Sequence, residues 1–101
     1  ALTETTFLVL LAFYKPNHGY GIMQFIEKET NGRVVLGAGT LYGAINTLLK
    51  KKWIMPVGNE NIKNKKEYII TDIGRKAVEE ERKRIGEIWR LATKIIGGET
   101  I

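Results

Sequence analysis

The sequence contains no cysteine and no serine, and its only histidine is His18. Without cysteine there are no disulfide bonds, thiolate metal sites or cysteine nucleophiles, and without serine there is no Ser-His-Asp triad. A zinc site would need an unusual set of carboxylate ligands beside one histidine, so we expect no metal and no cofactor. These absences argue against an enzyme, and His18 is predicted to cap a helix or shape a turn.

Long apolar segments are also missing. The longest apolar run extends from Phe7 to Tyr14, far short of the roughly 20 residues that a membrane-spanning helix needs. The first residues lack the basic flank and the apolar stretch of a signal peptide. We therefore expect a soluble cytoplasmic protein with no membrane partner. At 101 residues, of which 44% are hydrophobic, the chain is long enough for one folded domain.

Basic charge is concentrated in one segment. The chain has 16 Lys and Arg against 11 Asp and Glu, a formal net charge of +5. Residues 50–66 contain six lysines and a single acidic residue, Glu60, and this excess accounts for the whole net charge. A solvated face would also explain a run of lysines. Because the rest of the sequence is balanced, we favour a local surface that binds a polyanion.

The spacing of apolar and turn-forming residues predicts a mainly α fold with a small β-hairpin. Thr3 and Thr71 are placed to cap the first and last helices, and Gly97-Gly98 to end the last one. The predicted elements are helices over 3–14, 20–30 and 40–51, hairpin strands over 53–57 and 68–71, and a long helix from 71 to about 96.

Two helices carry more apolar surface than so short a chain covers by itself. The first is apolar on almost all sides, and the last has apolar positions at alternating spacings of three and four, which is typical of a heptad seam. A second copy of the chain would cover both, so we predict a homodimer. Glu81 lies within the seam, where it fixes the register of the two helices or pairs with a basic residue across the interface. The predicted interface residues are Leu8, Leu11, Val78, Ile85, Ile88, Trp89, Ala92 and Ile95.

Three helices followed by a lysine-tipped hairpin give the layout of a winged helix-turn-helix domain. In that layout the third helix enters the major groove of DNA, and the hairpin, or wing, places lysines on the adjacent backbone. Tyr42, Asn46 and Lys50 recur every four residues on the polar face of the third helix. Asn46 suits a bidentate contact with adenine, and the other two suit phosphates or base edges. The wing lysines predicted to contact DNA are Lys63, Lys65 and Lys66.

Further DNA contacts are predicted around the start of the second and third helices. Gly39 and Thr40 lie where the free N–H groups of a helix favour a phosphate. Gly43 permits a close approach of the backbone, although glycine inside a helix costs ~1 kcal/mol. Tyr20 either reaches a phosphate or packs in the core. Trp53 is predicted to pack at the base of the wing.

Several segments resemble a known family. They are His18-Gly19-Tyr20-Gly21, Gly39-Thr40-Leu41-Tyr42, Trp53-Ile54 and Tyr68-Ile69-Ile70-Thr71-Asp72-Ile73-Gly74, which look like motifs of the PadR family of bacterial transcriptional regulators. The resemblance covers roughly residues 2–96, and the single C-terminal helix is similar to the small subgroup of the family. It implies a homodimer that binds operator DNA, usually represses, and in many members releases DNA when it binds a small molecule.

Three features depart from the family pattern. The family often has proline where Ala38 stands, glycine where Lys52 stands, and arginine-rich wings where this wing has lysine. Lys52 therefore leaves the third helix without its usual glycine stop. Lysine acts as a point charge, which argues against bidentate contacts between this wing and bases.

Trp89 lies beside the heptad seam, near the point where two symmetry-related helices would cross. Two facing indoles could sandwich a flat aromatic effector, and some family members bind aromatic compounds at the dimer centre. Simple packing in the interface accounts for Trp89 equally well, so both roles stay open.

We predict a winged helix-turn-helix domain over residues 1–71 and a dimerisation helix over residues 72–101, forming one compact unit. The predicted function is that of a homodimeric, sequence-specific DNA-binding regulator, a repressor that a small aromatic effector releases. Its half-sites would lie about one helical turn apart, roughly 34–36 Å. The alternative is a winged-helix interaction module that binds an acidic protein or RNA.

Overall fold

A computed structural model describes residues 2–58 and 66–98 of the chain. The elements are helices α1 (Glu4–Ala12), α2 (Gly19–Glu29) and α3 (Ala38–Lys50), strands β1 (Ile54–Val57) and β2 (Glu67–Ile70), and helix α4 (Asp72–Ile96). This order confirms the predicted class, mainly α with a small hairpin. The helix ends lie within about two residues of the predicted ones, because capping and turn residues are local features of sequence.

Side-chain caps begin three of the four helices. Thr3 Oγ1, His18 Nδ1 and Thr71 Oγ1 each accept a hydrogen bond from the backbone N–H three residues later, at 3.1, 3.3 and 3.1 Å. His18 is therefore a capping residue, as predicted, and Thr71 caps α4 instead of ending β2. Helix α3 begins after Gly37 and has no side-chain cap.

A tight reversal connects α3 to β1. Lys52 has a φ of 61°, in the left-handed region where a Cβ atom is costly. Its N–H donates to the carbonyl of Leu49 at 3.0 Å, and the N–H of Trp53 donates to the carbonyl of Leu48 at 3.0 Å. This conformation gives the physical reason for the glycine that the resembling family often has here.

The hairpin is held along both edges of β2. On one edge β1 pairs antiparallel to it, with Ile54 opposite Ile70. On the other edge, Asn17 and Tyr68 exchange two backbone hydrogen bonds of 2.9 and 3.1 Å. The loop between α1 and α2 therefore fixes the base of the wing to the helical core.

One hydrophobic core joins all six elements. The predicted inner face of α3 is buried through Leu41, Ile45 and Leu48, and Trp53 packs half-buried against this core at the base of the wing. The rings of Phe13 and Tyr68 pack in a T-shaped arrangement at a centroid distance of 6.0 Å. The other buried core residues are Val9, Leu10, Ala12, Ile22, Ile26, Ile54, Ile70 and Val78.

Helix α4 has two different halves. In the first half Gly74, Val78 and Glu81 are buried against the rest of the chain. From residue 82 to residue 98 every residue except Gly86 is exposed, so the second half projects away from the core. Val78, which the heptad spacing places at the dimer interface, is 2% exposed and lies in the core of its own chain. The interface prediction is corrected for this residue, because the seam begins before α4 leaves the core.

Across residues 2–58 and 66–98, no helix has both the length and the apolar character of a membrane span.

Candidate nucleic-acid interface

The outward face of α3 is polar and carries no acidic side chain. The buried residues Leu41, Ile45 and Leu48 occupy one side of the helix, which turns the polar side to solvent. The predicted contact face therefore lies on the surface. Its exposed residues are Tyr42, Gly43, Asn46, Thr47 and Lys50.

The first turn of α3 is open to a ligand. Gly37, Gly39 and Thr40 are exposed, and a Cβ atom built on either glycine would meet no other atom within 4 Å. The N–H groups of this turn point outward and carry the positive end of the helix dipole. Ala38 is the first helical residue, a position where proline fits well, so alanine replaces the usual residue of the resembling family without changing the backbone.

Tyr42 lies against the N-terminus of α2. A Cβ atom at Gly19 would come within 2.8 Å of Tyr42 Cζ and 3.1 Å of Cε1. Gly19 is buried, whereas Tyr42 is 51% exposed. The absence of a side chain at Gly19 thus leaves room for the Tyr42 ring. This contact between two motifs was not predicted from the sequence, although Gly19 within the first motif was the feature that could have indicated it.

Tyr20 is exposed at the start of α2. Of its two predicted roles, packing in the core is therefore incorrect. Tyr20 lies in the capped first turn of α2, and its phosphate contact stays a prediction.

Exposed lysines flank the hairpin. Lys50, Lys51 and Lys52 lie at its α3 end, and Lys66 directly precedes β2. The Nζ atom of Lys51 lies 5.1 Å from the centroid of the Trp53 ring, a cation–π distance that holds this lysine at the base of the wing. Lys63 and Lys65 lie outside the described residues.

The exposed half of α4 presents large apolar side chains. Ile88 is 54% exposed and Trp89 is 65% exposed, and Ile85, Ala92 and Ile95 are exposed as well. An isolated apolar residue on a surface is ordinary, but a row at heptad spacing along a projecting helix is typical of an interface.

A groove of about 450 Å³ runs between α1 and α4. The half-buried residues Leu8 and Leu11 line it from α1, and Ile85 lines it from α4. The groove thus joins the two sets of residues predicted at the dimer interface. Its other lining residues are Leu2, Glu4, Phe7, Glu81 and Arg84.

Glu81 pairs within its own chain. Its side chain is 6% exposed and accepts hydrogen bonds from Nε of Arg84 at 3.1 Å, from Nη2 of Arg84, and from the N–H of Leu2 at 3.3 Å. The hydrogen bond from Arg84 lowers the pKa of Glu81, while burial opposes this by raising it. The expected pairing across the interface is therefore corrected, because Arg84 satisfies this carboxylate one turn along the same helix.

Comparison with family models decides the classification. The model of the "Transcriptional regulator PadR-like family" matches residues 7–80, from α1 into α4. The chain belongs to the PadR-like family. Members of this family are DNA-binding transcriptional regulators and not enzymes, which supports the prediction that the chain has no enzymatic activity.

Solved structures of transcriptional regulators, two of them named as PadR regulators, share the fold over nearly the whole chain. A transcriptional regulator from Clostridium thermocellum is 29% identical, with a TM-score of 0.70, and the match covers 93% of this chain and 89% of the other. A PadR family regulator from Eggerthella lenta is 21% identical, with a TM-score of 0.78 and coverages of 94% and 83%. A PadR-like regulator from Bacillus cereus is 21% identical, with a TM-score of 0.76 and coverages of 94% and 93%. The search of curated proteins gives no match.

The elements of this chain correspond to the parts of a winged helix-turn-helix domain. Helices α2 and α3 form the helix-turn-helix, the hairpin is the wing, and α4 is the long C-terminal helix. In the part of the chain that the structure describes, no three His, Asp or Glu side chains are grouped so that they could hold a metal ion.

Proposed function

We propose that this PadR-like protein is a homodimeric repressor that binds a palindromic operator through α3 and the wing of each subunit. The observation that carries the proposal is the outward face of α3, which is polar and free of acidic side chains and is followed by exposed lysines. A phosphate backbone repels acidic groups and attracts lysines, and a groove admits a helix whose outer side chains are polar.

Each residue predicted to contact DNA has a proposed role. The Asn46 amide pairs with an adenine edge, and Tyr42 and Lys50 contact base edges or phosphates. The N–H groups at Gly39 and Thr40 hold a phosphate, and Gly43 lets the backbone approach the groove. Tyr20 contacts a phosphate from α2. The wing lysines that complete the backbone contacts are Lys63, Lys65 and Lys66.

The proposed dimer is formed by residues 72–101 together with α1, and residues 1–71 form the DNA-binding domain. The exposed apolar side chains of α4 and the groove between α1 and α4 supply a surface that a second copy of the chain would cover. The two α3 helices would then lie one helical turn of DNA apart, roughly 34–36 Å. The interface residues are Leu8, Leu11, Ile85, Ile88, Trp89, Ala92 and Ile95.

Release from DNA by a small aromatic effector completes the proposal. A two-fold axis near Trp89 would place two exposed indoles face to face, which suits a flat ligand. Binding there would tilt α4 and move the two α3 helices off the operator spacing. A coupling of ~1–3 kcal/mol is enough to switch operator occupancy. Because the partner is chromosomal DNA, the proposed location is the cytoplasm.

A binding experiment tests the proposal. Duplexes are first selected by the protein from a random pool, and binding of selected and random duplexes is then measured over a range of salt concentrations. Asn46→Ala is expected to lose about 1–3 kcal/mol of discrimination at one base position. Lys66→Ala is expected to weaken binding to both duplexes and to reduce the salt slope by about 1.

Lys83→Ala is the matched control, because Lys83 is also an exposed lysine but lies on α4. It is expected to leave both affinities unchanged. If the wild-type protein binds selected and random duplexes equally, the repressor proposal fails, and a module that binds RNA or an acidic protein replaces it.

A further inference from the structure

Thr71 links the end of α3 to the start of α4. Its Oγ1 atom donates a hydrogen bond of 2.7 Å to the carbonyl of Lys52 and accepts one of 3.1 Å from the N–H of Gly74. Its own N–H donates to the carbonyl of Trp53 at 2.8 Å. A helix cap needs only the acceptor function of the hydroxyl. Here the hydroxyl proton also binds the turn that follows the DNA-facing helix.

Gly74 brings the two backbones into direct contact. A Cβ atom at this position would collide with the Trp53 carbonyl oxygen and would lie 3.1 Å from its carbonyl carbon and 2.8 Å from Ile70 Cγ1. A collision with backbone cannot be relieved by turning a side chain. The first turn of α4 is therefore as close to the turn after α3 as a glycine allows.

The connection continues into α3 itself. The N–H groups of Lys52 and Trp53 donate to the carbonyls of Leu49 and Leu48 in the last turn of α3. Hydrogen bonds therefore run from the end of α3 through the turn to Thr71 and into α4. We call Lys52, Trp53, Thr71 and Gly74 the clasp.

We propose that the clasp fixes the angle between α3 and α4 and so sets the half-site spacing that the dimer accepts, with Thr71 and Gly74 as positioning residues. This inference rests on the proposed function, in which α4 joins the subunits and α3 contacts DNA. In a symmetric dimer, a change of angle at each clasp moves the two α3 helices in opposite directions. One base pair added between the two half-sites rotates one half-site relative to the other by about a tenth of a turn of DNA. The dimer can reject a spacer of the wrong length only if the connection between α3 and α4 is stiff.

The test uses synthetic palindromic duplexes built from the half-site that the wild-type protein selects, with the central spacer shortened or lengthened by one or two base pairs. The wild-type protein is expected to lose about tenfold in affinity for each spacer one base pair from the optimum, comparable to one mismatched pair. Thr71→Ala is expected to reduce this preference to about threefold or less, because both hydroxyl contacts are lost. Thr71→Ser keeps both contacts and is expected to keep the wild-type preference.

Gly74→Ala supplies the complementary change. It is expected to move the optimum to a different spacer, because the added methyl group pushes α4 away from Trp53. Gly86→Ala is the control within the same helix, since its Cβ would meet only the flexible Arg90 side chain, at 3.4 Å. If Gly74→Ala does not fold, as judged by circular dichroism, the comparison of Thr71→Ala with Thr71→Ser decides the question.

The outcomes separate the clasp from the function on which it rests. Weaker binding by Thr71→Ala with an unchanged spacing profile would show that Thr71 only caps α4, and would overturn the inference while the repressor proposal stands. A wild-type protein that prefers no palindrome at any spacing would overturn both.

Discussion

At the scale of single residues, Lys52 combines an unfavourable backbone with a favourable charge. Its left-handed φ of 61° costs a residue with a Cβ atom roughly 1–2 kcal/mol. Glycine would avoid this cost but would remove a positive charge from the segment between α3 and the wing. Strained conformations persist where the surrounding structure fixes them, and here the clasp and the last turn of α3 do so.

Lys52→Gly is expected to stabilise the protein by about 0.5–1 kcal/mol, because the left-handed strain that it relieves, roughly 1–2 kcal/mol, exceeds the entropic cost of glycine, roughly 0.5–1 kcal/mol. Denaturation by urea, followed by circular dichroism, measures this difference. Lys52→Ala removes the same charge and keeps the Cβ atom, so we expect no stabilisation from it. Equal stabilities for the two variants would show that the conformation at this position is not strained.

Residue roles were predictable from sequence where the interaction is local. The caps at Thr3, His18 and Thr71 follow from residue type and position. The proximity of Gly19 to Tyr42 did not, because it depends on how α2 packs on α3. The partner of Glu81 was misassigned for a different reason: the heptad pattern placed it at an interface, although Arg84 lies three residues away on the same helix.

At the scale of elements, α4 shows what periodicity can and cannot predict. The heptad spacing correctly indicated a long helix with one apolar side. It could not show where the helix leaves its own core, because the same spacing continues from the buried Val78 to the exposed Ile88. The packing of the first half of α4 against the rest of the chain buries the first part of the seam and leaves the second part exposed to solvent.

Ile88→Glu is expected to convert the proposed dimer to a monomer, because the interface would have to bury an unpaired carboxylate. We expect the dissociation constant to rise at least about 100-fold, which corresponds to about 3 kcal/mol. Sedimentation equilibrium measures this change. Thr93→Glu adds the same charge to α4 outside the heptad seam and is the control.

Trp89→Ala, in the same assay, separates the two roles of Trp89. Loss of the dimer would assign Trp89 to packing. A stable dimer with weakened binding of planar aromatic compounds would assign it to effector binding. If Ile88→Glu remains a dimer, the proposed interface on α4 is incorrect.

At the scale of the whole molecule, one ion pair and one hydrogen bond connect distant parts of the chain. Arg33, in the loop between α2 and α3, pairs with Glu4 at the start of α1, and this hydrogen bond lowers the pKa of Glu4. Glu81 joins α4 to the N–H of Leu2 just before α1, and its pKa is lowered chiefly by Arg84. Glu4 and Glu81 both line the groove between α1 and α4. The shape of the proposed dimer surface therefore depends on carboxylates that must stay ionised.

The direction of the resulting pH dependence follows from these lowered pKa values. A carboxyl group whose pKa is lower in the folded protein than its ordinary value of 4.5 contributes stability above that value. The contribution is lost as the pH falls through the lowered pKa. We therefore expect the free energy of unfolding to decrease as the pH is lowered from 6 to about 3, measured by urea denaturation at each pH.

Glu81→Gln isolates the contribution of the Glu81 carboxylate, in the groove between α1 and α4, to the pH dependence of the free energy of unfolding. It cannot ionise, so it is expected to lower stability at neutral pH and to make stability less dependent on pH in the acidic range. Glu79→Gln is the matched control, because Glu79 pairs with Arg82 in the same i,i+3 arrangement but on the exposed side of α4. It is expected to change little, since exposed pairs contribute little. Equal pH profiles for Glu81→Gln and the wild-type protein would show that Glu81 does not link α1 to α4, and the acid sensitivity would then belong to Glu4 and Arg33.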